Sequence, residues 1–222
     1  MVSYYKGGEL MRDFPLFSTE NGVGSLVLKE IPYRGIAYIT IRDSAEPASF
    51  LNECLEFCKV VGASTVYASG HEILEAYPFY TSVLKMVGSV DFIPDSDASL
   101  FPVTEKTISR WREIYNEKMH DVDNASYMSQ RDGENLLKKG NGYFVHRDGE
   151  LLGIGIASED RIECIASCKR GTGREVLAAL THALTSDQIV LEVASTNQRA
   201  ISLYRGLGFM ETAELSKWYK IF

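Results

Sequence analysis

The stretch Ile189–Phe209, IVLEVASTNQRAISLYRGLGF, decides how this chain is read. Ile189–Ala194 is an apolar run of strand length, broken by Ser195 and Thr196. Asn197–Gly206 follows as a helix, and the chain leaves it through Leu207-Gly208-Phe209. Immediately upstream, Ile162–Ala166 reads as a second strand and Arg174–Leu184 as a second helix. Between these two lies the turn Cys168-Lys169-Arg170-Gly171-Thr172-Gly173. Its glycines let the backbone turn tightly and approach a ligand closely. The first turn of any helix leaves amide N–H groups unpaired, and with the helix dipole those donors suit a phosphate. Lys169, Arg170 and Arg174 add positive charge where the dipole alone already favours anions. The turn lacks the Gly-Lys-Ser/Thr ending of a nucleotide-triphosphate loop and the third glycine of a dinucleotide fingerprint. Taken by itself, it reads equally well as a plain strand–helix connection.

Further out, Gly142–Arg147 and Leu151–Ala157 form a hairpin around Asp148-Gly149. Thr104–Met119 is a helix with Ile108, Trp111, Tyr115 and Met119 on one side, and Asn124–Gly140 is a second helical region. A strand at Lys217–Phe222 closes the chain. The order of elements gives an α/β fold, a mixed central sheet flanked by helices. The prolines, serines and aspartates of Asp91–Pro102 read as a linker, dividing the chain into 1–100 and 101–222. In the first part, Ser25–Glu30, Gly35–Arg42 and Thr65–Ala68 read as strands. Phe50–Val61 reads as a helix with Pro47 in its first turn, and His71–Met86 as a helix interrupted at Pro78.

Composition excludes several classes. Of 222 residues, 45% are hydrophobic and 24% charged, which is ordinary for a globular core. No apolar run reaches the ~20 residues that span a bilayer, and Met1–Phe14 lacks a secretory apolar stretch. A cytoplasmic protein with no membrane partner is expected. A net charge of −7 without a basic cluster argues against nucleic acid. Cys54, Cys58, Cys164 and Cys168 do not follow zinc-site spacings, so buried free thiols and no metal are expected.

Asn197, Ala200, Leu203, Tyr204, Leu207, Gly208 and Phe209 resemble, at matching spacing, the signature of the GNAT superfamily of N-acyltransferases. In the register that also aligns Val176, Leu177 and Leu180, Gly171 and Gly173 take the glycine positions of that family's Arg/Gln-x-x-Gly-x-Gly/Ala loop. Cys168 replaces the Arg or Gln, a departure for which Arg170 could compensate. The resemblance covers residues 103–222. It implies an acetyl-CoA-dependent N-acetyltransferase in which a primary amine, of a small molecule or peptide, attacks the thioester directly in a ternary complex. Strand residues including Ile165 and Ala166 would orient the pantetheine. Cys168, Lys169, Arg170, Gly171, Thr172, Gly173 and Arg174 would form the diphosphate loop. Asn197 would contact the pantetheine arm, and Tyr204 would protonate the departing thiolate. Glu163 is the first choice of base and Glu192 the second, each reading also as a satisfied or solvent-facing carboxylate. His146, His182 or a water are further options. A non-catalytic acyl-CoA-binding or regulatory protein is the alternative, and an interaction domain with an empty cleft is a third. Monomer and homodimer are both open.

The first part faintly echoes the second. Placing Thr65-Val66-Tyr67 over Ile189-Val190-Leu191 sets Ala76 over Ala200 and Tyr80 over Tyr204, as in a degenerate GNAT-like copy. The loop before its helix, Asp43–Ser49, has no glycine and carries acidic charge, which would repel a diphosphate. A single coenzyme site, in the C-terminal half, is therefore expected.

Overall fold

The computed structural model describes residues 16–222. The elements run β1 (Leu16–Thr19), β2 (Gly22–Val27), α1 (Ile31–Arg34), β3 (Ile36–Ser44), α2 (Pro47–Val60), β4 (Thr65–Ser69), β5 (Phe79–Ser89) and β6 (Ser99–Pro102). They continue α3 (Ile108–Met119), α4 (Gln130–Lys139), β7 (Gly142–Arg147), β8 (Glu150–Ser158), β9 (Arg161–Ser167), α5 (Gly173–Thr181), β10 (Gln188–Ala194), α6 (Gln198–Arg205) and β11 (Met210–Lys220). Residues fall into two compact units, one spanning Leu84–Glu214, the other 16–83 together with Leu215–Phe222.

In the unit formed by 16–83 and Leu215–Phe222, β1, β2 and β3 make an antiparallel meander. Helix α2 then crosses over to bring β4 parallel to β3, paired from Ile36 opposite Thr65 to Thr40 opposite Ser69. The end of β11 joins β4 antiparallel, with Tyr219 opposite Ala68. Helix α2 buries Phe50, Leu51, Cys54 and Cys58. The Phe50 ring fills the space over Gly22 and Gly24, where an added Cβ would meet it at 2.9 and 3.0 Å. Cys54 and Cys58 are free, and burial pushes their thiols up to about 12 and about 11.

The helix expected over His71–Met86 is not formed. Glu72–Ala76 is a short 3-10 turn capped by His71, and Phe79–Ser89 is an eleven-residue strand. The residue before Pro78 is held extended, and the β-branched Thr81 and Val83 suit a strand, so the local pattern follows period two. This also removes the proposed equivalence of Ala76 with Ala200 and of Tyr80 with Tyr204. Tyr80 lies on β5, its ring stacked on Tyr67 at 3.9 Å between centroids.

Within Leu84–Glu214 the strands lie in the order β11-β5-β10-β9-β8-β7-β6. The β7–β8 turn is the expected hairpin, with Asp148 and Gly149 at φ 52° and 78° as a two-residue primed turn requires. Helices α3 and α4 cover one face, where Trp111, Ile114, Tyr115 and Leu136 pack with Ile154, Ile156, Cys164 and Ala166. Helix α5 covers the other, where Val176, Leu177, Ala179 and Leu180 pack with Leu152, Ala157, Ile162 and Leu191. Helix α4 begins in a capping box between Ser129 and Asp132 and ends at Gly140 in the left-handed region. The linker-like stretch Asp91–Pro102 lies inside this unit. Its last four residues pair with β7 as the end strand of the order, a position that tolerates Pro102.

Candidate coenzyme site

Strands β9 and β10 begin side by side and then part. Val190 is opposite Arg161, and its N–H donates to the Asp160 carbonyl at 2.7 Å, but no later pair of the two strands is in register. On its other edge β9 stays paired to β8 as far as Ser167. The Cys168 N–H donates to the Leu152 carbonyl at 2.8 Å. Antiparallel alternation then directs the Ala166 peptide groups to β8 and those of Ile165 and Ser167 toward the gap. Of the two strand residues singled out from sequence, Ile165 thus faces the opening and Ala166 does not.

A β-bulge sits beside the opening. The register passes from Ile156 opposite Cys164 to Ala157 opposite Ile162, which leaves Glu163 as the extra residue. For this reason Ile162 packs on the α5 side and Cys164, two residues later, on the α3 side. Nothing in the residue pattern signals this bulge.

Beyond β9 the chain turns through Gly171, whose φ of 91° is a left-handed conformation that a side chain would strain. Thr172 is buried and its hydroxyl donates to the carbonyls of Leu152 and Lys169 at 3.1 and 2.9 Å. It therefore does not cap α5, which starts without any side-chain cap. The amides of the first α5 turn are left as free donors. A Cβ on Gly173 would press on Leu203 of α6 at 3.1 Å.

The charges divide. Lys169 is held by both oxygens of Glu150, at 2.9 and 2.8 Å, which also lowers the Glu150 pKa. Glu175 is paired with Arg147. Among the described residues Arg170 and Arg174 have no carboxylate partner, so they are the cations available at this helix end. Cys168 is half-buried, packs on the α3 side, and has its thiol pushed up by burial.

Tyr204 is buried near the end of α6, its ring 5.8 Å from that of Phe209. Burial pushes its hydroxyl well above the usual tyrosine value, and the nearby Cys164 thiol adds to the shift. No hydrogen bond holds that hydroxyl among the described residues. Asn197 caps α6, its Oδ1 accepting from the Ala200 N–H at 3.1 Å. Glu192 is held by Arg161 at 3.2 Å. His182 ends α5 away from the glycine turn, and His146 lies on β7 near the rings of Phe101 and Phe144. The gap is thus bordered by Ile165 and Ser167 of β9, the turn Lys169–Gly173 and the α5 start, with Glu163 in the β9 bulge, while the two histidines lie elsewhere.

Neither a family model nor a curated protein matches the sequence. Solved structures do. A functionally unknown conserved protein of Staphylococcus epidermidis matches at 12% identity, covering 94% of this chain and 93% of that one, with a TM-score of 0.57. A tandem GNAT protein from the clavulanic acid biosynthesis pathway matches at 12% identity, covering 90% and 78%, with a TM-score of 0.53. A GCN5-related N-acetyltransferase of Anabaena variabilis matches at 11% identity, covering 83% of this chain and 54% of its own, with a TM-score of 0.59.

The chain has a GNAT fold.

The likeness to the tandem GNAT protein spans 90% of this chain, so it takes in residues of both units. Within the GNAT fold, β9-α5-β10 is the segment with a strand gap, a left-handed glycine and an uncapped helix start in succession.

Proposed function

We propose that this GNAT-fold chain moves an acetyl group from acetyl-CoA to a primary amine by direct attack in a ternary complex. The observation that supports the reading is the parting of β9 from β10, which opens a slot ending at the uncapped start of α5. A diphosphate suits that end: it finds free amides at Gly173–Glu175, close backbone access at Gly171, and Arg170 and Arg174 without competing carboxylates. The peptide groups of Ile165 and Ser167 that face the gap can pair with the amides of a pantetheine arm, as an adjoining strand would.

Bound acetyl-CoA supplies a thioester carbonyl open to the amine. The chain's own residues handle the protons. Glu163, set apart by the bulge, takes the proton that the incoming ammonium loses, directly or through a water. Glu192, already held by Arg161, is the less available of the two carboxylates. Tyr204, kept neutral by burial, donates toward the departing sulfur. Asn197 offers its remaining amide N–H groups, since its oxygen is used by the helix cap.

A second reading, acyl-CoA binding without transfer, is favoured by the pairing of Glu192 with Arg161, which leaves Glu163 as the one candidate carboxylate to act as base. Thiol release from acetyl-CoA across a panel of primary amines separates the two. Amine-dependent release is the expected result. Coenzyme binding without release from any amine selects the second reading, and no binding at all contradicts both.

A further inference from the structure

Two ion pairs run from the tip of the β7–β8 hairpin to the glycine turn, one on each side of Gly171–Gly173. Before the glycines, Lys169 Nζ donates to both carboxylate oxygens of Glu150, the first residue of β8, at 2.9 and 2.8 Å. After them, Arg147, the last residue of β7, pairs with Glu175 in the first turn of α5. The tip thus treats the two flanks oppositely. Arg147 neutralises a carboxylate at the helix start, whereas Glu150 brings a carboxylate in and takes up a cation.

The pair at Lys169 is not what shapes the turn. The main chain there is held by the Cys168 N–H on the Leu152 carbonyl at 2.8 Å, and by the Thr172 hydroxyl on the carbonyls of Leu152 and Lys169 at 3.1 and 2.9 Å. None of these bonds involves Glu150. Lys169 and Glu150 are each 54% exposed, so the ammonium can change partner without a charge being stranded away from water. A diphosphate carries two negative charges where Glu150 carries one, and it draws the ammonium more strongly.

We propose that Glu150 competes with an incoming diphosphate for Lys169, and so sets how tightly the coenzyme is held. The inference rests on the coenzyme reading above. On binding, the Lys169 ammonium leaves Glu150 for the diphosphate. Arg147 stays on Glu175 and keeps that carboxylate from opposing the anion. Arg170 and Arg174, without carboxylate partners among the described residues, need no such exchange.

The test reads affinity from backbone amide shifts of the labelled full chain, titrated with CoA, inorganic pyrophosphate, and pantetheine, which lacks phosphate. Glu150→Gln tightens CoA and pyrophosphate by about 2- to 5-fold, the range for one exposed ion pair, and leaves pantetheine as it was. The gain shrinks in about 0.5 M salt, where exposed charges are screened, and most of it is lost in a Lys169→Met background. Arg147→Gln acts in the opposite sense. It uncovers Glu175 and weakens both anions by a similar factor, and adding Glu175→Gln restores them. If the two pairs only brace the turn, Glu150→Gln and Arg147→Gln both weaken binding and pantetheine follows CoA, which overturns the inference. An unchanged CoA affinity in Glu150→Gln also overturns it and leaves the coenzyme reading standing. Tighter pyrophosphate binding in Glu150→Gln, with no CoA binding in any variant, does the reverse: the exchange at Lys169 stands and the coenzyme reading falls. No binding of either anion overturns both.

Discussion

Segments β3-α2-β4 and β9-α5-β10 are built on one plan. In each, an antiparallel strand leads into a helix that crosses over to a parallel strand. The first is closed. Strands β3 and β4 stay in register over five residue pairs, Pro47 opens α2, and Phe50 in its first turn fills the space over two glycines of β2. The second is open. Strands β9 and β10 meet at one pair, Gly171 sits in the left-handed region, and Thr172 turns its hydroxyl away from the helix start. The contrast teaches that this frame opens through what is withheld: ladder pairs, a proline at the helix start and a bulky first-turn side chain. Acidic residues Asp43 and Glu46 precede α2, whereas Lys169 and Arg170 precede α5, so charge separates the two segments as well.

The comparison can be broken by exchanging its parts. The largest effect is expected from Tyr204→Phe, which lowers kcat by about 100-fold or more, the range for removing a proton donor, with coenzyme affinity nearly unchanged. Tyr80→Phe in the other unit leaves steady-state kinetics as they were. A Tyr204→Phe enzyme with full kcat would remove that residue from the chemistry.

Phe50→Ala acts in the opposite sense. Emptying that filled position destabilises the chain by about 3–5 kcal/mol, as large-to-small core changes do. Denaturant unfolding reads the loss, and calorimetry should show no change in coenzyme affinity for the protein that remains folded. Gly171→Val forces a β-branched residue into the left-handed region at about 1–2 kcal/mol and shifts the turn. Coenzyme affinity should fall by about 10-fold, an order set by losing one or two charge-assisted contacts. Glu46→Ala, at the start of α2, should leave it unchanged.

Much of the open segment was legible because its residues carry local meaning. Tyr204 and the glycines at 171 and 173 stand at fixed spacings in Cys168–Phe209, and the hairpin at Asp148-Gly149 states its own turn type. The bulge at Glu163 was not legible, since register is a relation between two strands and neither sequence alone contains it. The same holds for Lys169, whose charge is taken up by Glu150 from across the neighbouring hairpin. Asn124 read as the start of a helical region, whereas α4 begins only at Gln130 and Asn124 sits in a left-handed turn with its amide buried, which shows only after the chain has folded. Just past the closed segment, apolar and β-branched residues around Pro78 fit two periods. Strand pairing, which is not local, selected the extended one.

pH acts on both units through their buried thiols. Cys54, Cys58 and Cys164 have thiols raised from 9.0 to about 12, about 11 and about 12, chiefly by burial. Above pH 9 the unfolded chain gives up these protons before the folded one does. The stabilisation is therefore complete below pH 9 and is lost as pH rises toward 11 for Cys58 and toward 12 for Cys54 and Cys164, by about 1.4 kcal/mol per pH unit for each thiol. Unfolding curves at pH 8 and pH 10.5 measure it, and Cys54→Ala should flatten the dependence. A flat profile in the parent protein would show the thiols to be solvated.

The central claim is that free main-chain donors at the start of α5, and not those at the start of α2, receive the coenzyme's diphosphate. Backbone amide shifts in labelled protein titrated with CoA address it directly. The account predicts the largest changes at Gly171, Gly173, Arg174 and Glu175, with residues 44–50 silent. Changes confined to other regions, or none at saturating CoA, would contradict it.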